Sequence, residues 1–288
     1  MTMAKILAPL TGSPSDKLVL CVAFLLARSQ NTYVDTMFVF PDPRETVPVT
    51  EMPMTPEIYQ QIVDAAEEAR KHASKSARES FSVVAAAQNI KIVSTPERSV
   101  GNIATYRESL GHLRDVLRNA ALFADVVILP PLDSDSSLDL HDVLVDVLVK
   151  SRRPVILCPQ RAPATLGHAV LVGWDGGAAA AQALSAAMPI LEKAEKVQLA
   201  CIWPKENLGR SLTEAKQYLA LHGIDARETR IPAPVQPTAI ELLDAARKIN
   251  CDLLVIGGYG HSRTLETLFG GTTDTLLSHA DIPLFLAH

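Results

Sequence analysis

Aromatic side chains are scarce: Phe, Trp and Tyr make up 5% of the 288 residues, against 48% hydrophobic residues in all. Cores must therefore be built from Val, Leu, Ile and Ala. Cysteine is scarcer still, with four residues at 21, 158, 201 and 251, no Cys-x-x-Cys and no histidine at metal-ligand spacing. That count and spacing exclude a disulfide scaffold and a zinc module, and reduced, buried thiols are expected. No apolar run reaches the roughly 18 residues of a membrane-spanning helix. The first residues carry one Lys ahead of a strand-like run and do not read as a signal peptide. Positive charge is not in excess either. The 27 Lys and Arg against 32 Asp and Glu leave a formal net charge of −5, so the basic footprint of a nucleic-acid binder is missing. Apolar residues spread through most of the chain exclude long disorder. What remains is a soluble, cytoplasmic globular protein, expected to contact neither nucleic acid nor membrane, and long enough for two domains of roughly 140 residues.

What is present is one unit written twice. Residues 5–13 and 169–177 are each a short apolar run that breaks at a small polar turn, followed by an Ala/Leu-rich helical stretch (19–28 and 178–194) and a second apolar run (33–40 and 196–203). Farther on, 124–129 matches 251–256 and 153–158 matches 282–287. Between the copies, the Pro/Gly-bearing stretch 159–168 has no apolar periodicity and reads as a linker. The expected domains are therefore 1–158 and 169–288. Short apolar runs alternating with helices imply parallel strands buried on both faces. Strand starts are expected near 5, 33, 90, 125 and 154, and near 169, 197, 226, 252 and 283. Residues 56–87 read as one long helix with Ile58, Ile62, Ala65, Ala66 and Ala69 on one face. It is expected to pack on the sheet or to cover the sister domain.

In open parallel sheets, ligands bind beyond the carboxyl ends of the strands where the topology switches direction. The loop 256–273 falls at such a place, after the fourth strand of the second copy. Two residues separate Gly257 from Gly260 and nine separate Gly260 from Gly270, after which Gly271, Thr272 and Thr273 open a helix. Glycines let backbone amides approach an anion, and the helix start adds its unpaired amides and dipole. Asp175 follows the first strand of this copy, where an Asp either caps the next helix or touches a ligand. His261 lacks a partner for proton transfer, Ser262 lacks the GxSxG elbow of a hydrolase, and 133–139 lacks the Gly and Glu of a calcium loop.

These residues resemble the universal stress protein family in its tandem two-domain form. The family motif is Gly, two residues, Gly, nine residues, then Gly followed by Ser or Thr. Gly257, Gly260 and Gly270 fit it, while Gly271 stands where the hydroxyl residue is expected and Thr273 matches the second hydroxyl position. Asp175-Gly176-Gly177 stands for the family's Asp-Gly-Ser turn. The resemblance implies two three-layer α/β/α domains, flavodoxin-like or adenine-nucleotide alpha-hydrolase-like, each on a five-stranded, mainly parallel sheet. It implies ATP, with Mg²⁺, in the second domain. Asp175 would lie near the ribose and phosphates or help hold the metal, and Ile202 and Trp203 would lie against the adenine. Ile256 and Gly257 would floor the sugar, with Gly260, Gly270, Gly271, Thr272 and Thr273 around the phosphates. It also implies an intramolecular pseudo-dimer through pairing of 155–157 with 284–286, with room for a further homodimer. The role expected is nucleotide binding in stress response with at most slow ATP hydrolysis, not that of a dedicated enzyme.

The first copy departs from this pattern. Pro130, Pro131 and Asp133 stand where Gly257, Gly258 and Gly260 stand, and Thr11 replaces the Asp after the first strand. Proline offers no amide to a phosphate and acids repel it. This copy is expected not to bind ATP in the family's manner. The alternative for the whole chain is a nucleotide-free scaffold, or a binder of another small molecule, whose glycine loop is a relic.

Overall fold

The computed structural model describes residues 2–44, 55–96, 102–132, 140–203, 208–232, 236–258 and 271–288. The first half runs β1 (Lys5–Leu10), α1 (Asp16–Gln30), β2 (Tyr33–Phe40), α2 (Pro56–Ala87), β3 (Lys91–Ile92), β4 (Ile103–Leu110), α3 (Leu113–Ala121), β5 (Val126–Leu129), α4 (Leu140–Val145) with a π-helical continuation (Asp146–Lys150), and β6 (Val155–Leu157). The second half runs β7 (Ala169–Gly173), α5 (Ala178–Ala186), α6 (Met188–Leu191), β8 (Lys196–Trp203), α7 (Leu208–Leu221), β9 (Ala226–Pro232), α8 (Thr238–Lys248), β10 (Leu253–Gly257), α9 (Gly271–His279) and β11 (Leu284–Ala287).

Among the described residues, all of the strands belong to one 11-stranded sheet, ordered β3-β4-β2-β1-β5-β6-β11-β10-β7-β8-β9. The two expected, mainly parallel sheets are joined in the middle of that order, through the expected pairing of 155–157 with 284–286. There β6 and β11 pair antiparallel, Leu157 with Leu284, Ile156 with Phe285 and Val155 with Leu286. Backbone hydrogen bonding thus continues across the join. Every other pairing is parallel. Successive side chains point to opposite faces, so Ile6, Ala8 and Leu10 enter one core layer and Leu7 the other. Helices α1, α2, α5, α6 and α7 cover the first layer, and α3, α4, α8 and α9 cover the second. The order reverses between β1 and β5 and again between β7 and β10, giving two switch-point crevices. Because the join is antiparallel, the two crevices open at opposite ends of the sheet.

The repeat in the sequence is a repeat of devices. Asp125, just before β5, accepts the amides of Ala4 and Lys5 at 2.6 and 2.8 Å. Asp252, just before β10, accepts those of Gly167, His168 and Ala169 at 3.0, 3.1 and 3.0 Å. The turn after the first strand of each half carries a glycine at positive φ, 83° at Gly12 and 81° at Gly176.

The structure departs from the sequence reading at three places. The strand expected near 90 is only the two-residue β3, and the slot beside β2 is filled by β4, which pairs with it over eight residues. Its polar residues are matched across strands. Arg107 grips the buried Asp35 at 2.9 and 3.0 Å, and Lys5 reaches the same carboxylate at 2.8 Å. Burial pushes the Asp35 carboxyl up, but the hydrogen bonds from Arg107 and Lys5 outweigh it and hold it below the ordinary range. The helix expected over 178–194 is broken into α5 and α6, with Pro189 in the first turn of α6. Helix α2 begins at the Thr55 cap, whose side chain accepts the Ile58 amide, but its buried residues are Ala77, Ser80, Phe81, Val84 and Ala85. Ile58, Ala65 and Ala69 are exposed, so the expected apolar face lies beyond the core.

What α2 does cover is the first-half crevice. A Cβ on Gly12 would lie 2.6 Å from Cα, Cβ and O of Ala73 in α2. Beneath that contact, the buried Asp16 carboxylate accepts the amides of Thr11 at 3.0 Å and Gly12 at 2.8 Å. Desolvation raises its pKa from 3.8 to about 6 against the pull of those amides. A folded-state pKa above the unfolded value means the native state binds the proton more tightly. Stability therefore falls as pH rises from about 4 to about 6, by on the order of 3 kcal/mol at 1.36 kcal/mol per unit. Urea denaturation from pH 4 to 7 is expected to show that fall in the parent, and Asp16→Asn is expected to flatten it.

Candidate functional site

In the second half, β10, β7 and β8 are neighbours, and their carboxyl ends bring Ile256 and Gly257, Asp175, and Ile202 together along one edge. The Asp175 carboxylate lies at the surface and accepts the Gly177 amide at 2.8 Å, tightening the turn that leads into α5. It is thus a turn-holding group as well as a carboxylate exposed at the crevice. Gly177 gives α5 no side-chain cap, so the amides of its first turn are not engaged by a cap residue.

Gly257 is required by close approach. A Cβ there would lie 2.5 Å from the Ala179 carbonyl carbon and 2.6 Å from the Ala180 nitrogen. The start of α5 is therefore pressed against the end of β10, and its positive dipole end points along the crevice. Ile256 is buried beneath. Next along the chain, the Gly258 amide donates to the Ala287 carbonyl at 2.8 Å, and the His288 ring meets the Gly258 carbonyl at 3.1 Å. Gly260 and Gly270, together with His261 and Ser262, lie outside the described residues. The chain returns at α9, where Gly271 and Thr272 are exposed and Thr273 is buried. Among the described residues, a Cβ on Gly271 would meet nothing within 4 Å.

Three residues at this mouth escaped the sequence reading. Trp174 follows β7 directly and donates its indole N–H to Ser211 of α7 at 3.1 Å. Gly209, also in α7, packs on the edge of the Trp203 ring, where a Cβ would lie 3.2 Å from Cη2. The Arg230 guanidinium of β9 lies over the Trp203 ring, 4.5 Å from its centroid. The sequence signal for Trp174 was its place where an apolar run stops, whereas Gly209 and Arg230 take their meaning from the Trp203 ring beside them in space.

The first-half crevice is built on the same register but is filled. Phe40 is the eighth and last residue of β2, as Trp203 is of β8. Arg70 of α2 lies over the Phe40 ring at 4.9 Å, and Arg78 lies over Tyr106 at 4.7 Å. Ser74 and Arg78 both bind Glu108, at 2.7 and 2.9 Å. Together with Ala73 on Gly12, these contacts draw α2 across the carboxyl ends of β1, β2 and β4. Residues 133–139 lie outside the described residues.

Elsewhere the chemistry is quiet. All four thiols are free. Burial raises the Cys251 thiol to about 11 and pushes Cys158 well above its ordinary value, so both are protonated and unreactive at neutral pH. Among the described residues there is no group of three His, Cys, Asp or Glu placed for a metal ion, and no helix long and apolar enough to cross a membrane.

Comparison with known proteins agrees with this architecture. A universal stress protein from Archaeoglobus fulgidus DSM 4304 superposes with a TM-score of 0.67 at 14% identity, covering 99% of this chain and 96% of that one. A functionally unknown protein from Pseudomonas aeruginosa PAO1 superposes with a TM-score of 0.55 at 16% identity, covering 99% of this chain and 92% of that one. At these identities the likeness is one of fold. No curated protein matches the chain in sequence. Residues 168–288 match the model of the Universal stress protein family. Through that segment the chain carries a domain of the Universal stress protein family.

Proposed function

We propose that this chain acts as a universal stress protein that binds ATP, or a related adenine nucleotide, in the crevice between β7 and β10, as a binding protein with at most slow ATP hydrolysis. What supports the reading is that three features follow the ends of the neighbouring strands β7 and β10. They are the Asp175 turn, a Gly257 forced by the start of α5, and the Gly271–Thr273 start of α9. Each supplies what a phosphate chain needs: amides at close approach, a helix N-terminus, or hydroxyls. In this reading the base lies against Ile202 and Trp203, Ile256 and Gly257 floor the sugar, and Gly260, Gly270, Gly271, Thr272 and Thr273 surround the phosphates. Mg²⁺ keeps most of its ligands as water and phosphate oxygens, so the single exposed carboxylate of Asp175 fits its needs.

The halves divide the work. Residues 1–158 form the first domain, 159–168 the linker and 169–288 the second domain, and the two make a pseudo-dimer about the β6–β11 join. The first domain's crevice is taken by α2, so its part is to support and complete the shared sheet. Four free, mostly buried thiols suit a reducing compartment such as the cytoplasm.

Because both tryptophans stand at the mouth of the crevice, intrinsic fluorescence reports on it directly. Titration with Mg·ATP to millimolar concentration is expected to change the emission, and an unchanged spectrum would contradict the reading. Gly260→Val is expected to abolish that change while leaving the circular dichroism spectrum intact. Gly271→Ser restores a hydroxyl where space is open, and one added hydrogen bond is expected to tighten binding by about two- to tenfold. Equal or weaker affinity for that variant would place the phosphates elsewhere.

A further inference from the structure

The Trp203 ring is partnered in a way that its first-half counterpart is not. Phe40 is capped by Arg70, which projects from α2, is doubly hydrogen-bonded to Glu67 and has a side chain only 24% exposed. That cap is fixed, because α2 is locked to the core by Ala77, Phe81 and Val84. Trp203 is capped by Arg230, which projects from β9, the outermost strand of its half, and its side chain is 51% exposed. Arg230 is steadied at its far side by Glu228 at 2.9 Å, and Glu228 is held in turn by Lys216 at 3.4 Å. One edge of the indole is closed by Gly209, whose lack of a side chain lets α7 approach. An aromatic floor, a walled edge and a planar cation as an openable roof make up one side of a slot.

We propose that Arg230 is the outer jaw of the base-binding slot, lifting from Trp203 to admit a purine and closing on its far face, so that the ring is held between indole and guanidinium. The inference rests on the nucleotide reading above and adds to it a residue that selects the base. A guanidinium is planar and weakly hydrated, and stacks on either an indole or a purine. Lifting gives up a half-exposed contact with the indole and closing makes a desolvated one with the purine, the stronger of the two, while the indole gains a larger aromatic partner. Ammonium is a compact, strongly hydrated point charge and cannot stack in this way. A role in stacking is thus separable from a role in charge.

The test is calorimetric titration of the full chain, Arg230→Ala and Arg230→Lys with Mg·ATP, with circular dichroism of each variant as the check on folding. Arg230→Ala is expected to weaken binding about tenfold, the scale of a desolvated cation–π contact. Arg230→Lys is expected to recover less than half of that loss. Unchanged or tighter binding in Arg230→Ala would overturn the proposal, because the arginine would then be neutral or a competitor for the platform. Full recovery in Arg230→Lys would also overturn it, since charge alone would suffice. A parent chain that takes up no ATP would instead overturn the nucleotide reading on which the proposal stands.

Discussion

Three residue pairs in the middle of the sheet, Leu157 with Leu284, Ile156 with Phe285 and Val155 with Leu286, turn two parallel sheets into one. An edge strand left open in either half would expose a row of unpaired amides and carbonyls. Here each half supplies the partner that the other lacks, and Phe285, Ile156 and Val155 are fully buried at the seam. The antiparallel sense of this pairing has a further consequence. It sets the two carboxyl edges at opposite ends of the molecule, so the switch-point crevices cannot share a ligand and each half must resolve its own.

They resolve them differently on nearly identical backbone. Gly12 and Gly176 adopt the same left-handed turn, with φ of 83° and 81°. In the second half the turn is tied by an exposed carboxylate before it, Asp175, and stays open to solvent. In the first half a buried carboxylate after it, Asp16, occupies the amides, and Ala73 lies on top. The residue that ends the second strand is aromatic in both halves and carries an arginine in both. Only the origin of that arginine differs, a core-locked helix for Phe40 and an edge strand for Trp203. Among the described residues, one crevice is thus covered by a helix of the chain and the other is not.

Much of this was legible in the sequence, for physical reasons. Strands buried on both faces are short uninterrupted apolar runs, so the starts near 125, 169, 252 and 283 could be read to within a residue. The helix read over 56–87 is α2, with Pro56 in its first turn. The strand β4 could not be read, because Arg107 and Glu108 look like surface charge until Asp35, Ser74 and Arg78 are brought to them by the fold. Asp35 and Arg107 are 72 residues apart in the chain. The apolar stripe at 58–69 pointed to the right helix and the wrong part of it, since periodicity does not say which turns cross the sheet. At the candidate site, Asp175 and Gly257 were named from their places after strands, and Ile202 and Ile256 came with the family resemblance. Arg230 was not named, because its meaning comes from the ring beside it in space.

The central claim is an asymmetry: two crevices on one fold, of which one is closed by the chain's own helix. Stoichiometry measures it most directly. In a calorimetric titration of the full-length chain with Mg·ATP, the account predicts one nucleotide bound per chain. Two nucleotides per chain would contradict the closure of the first-half crevice by α2, and none would contradict the opening of the second.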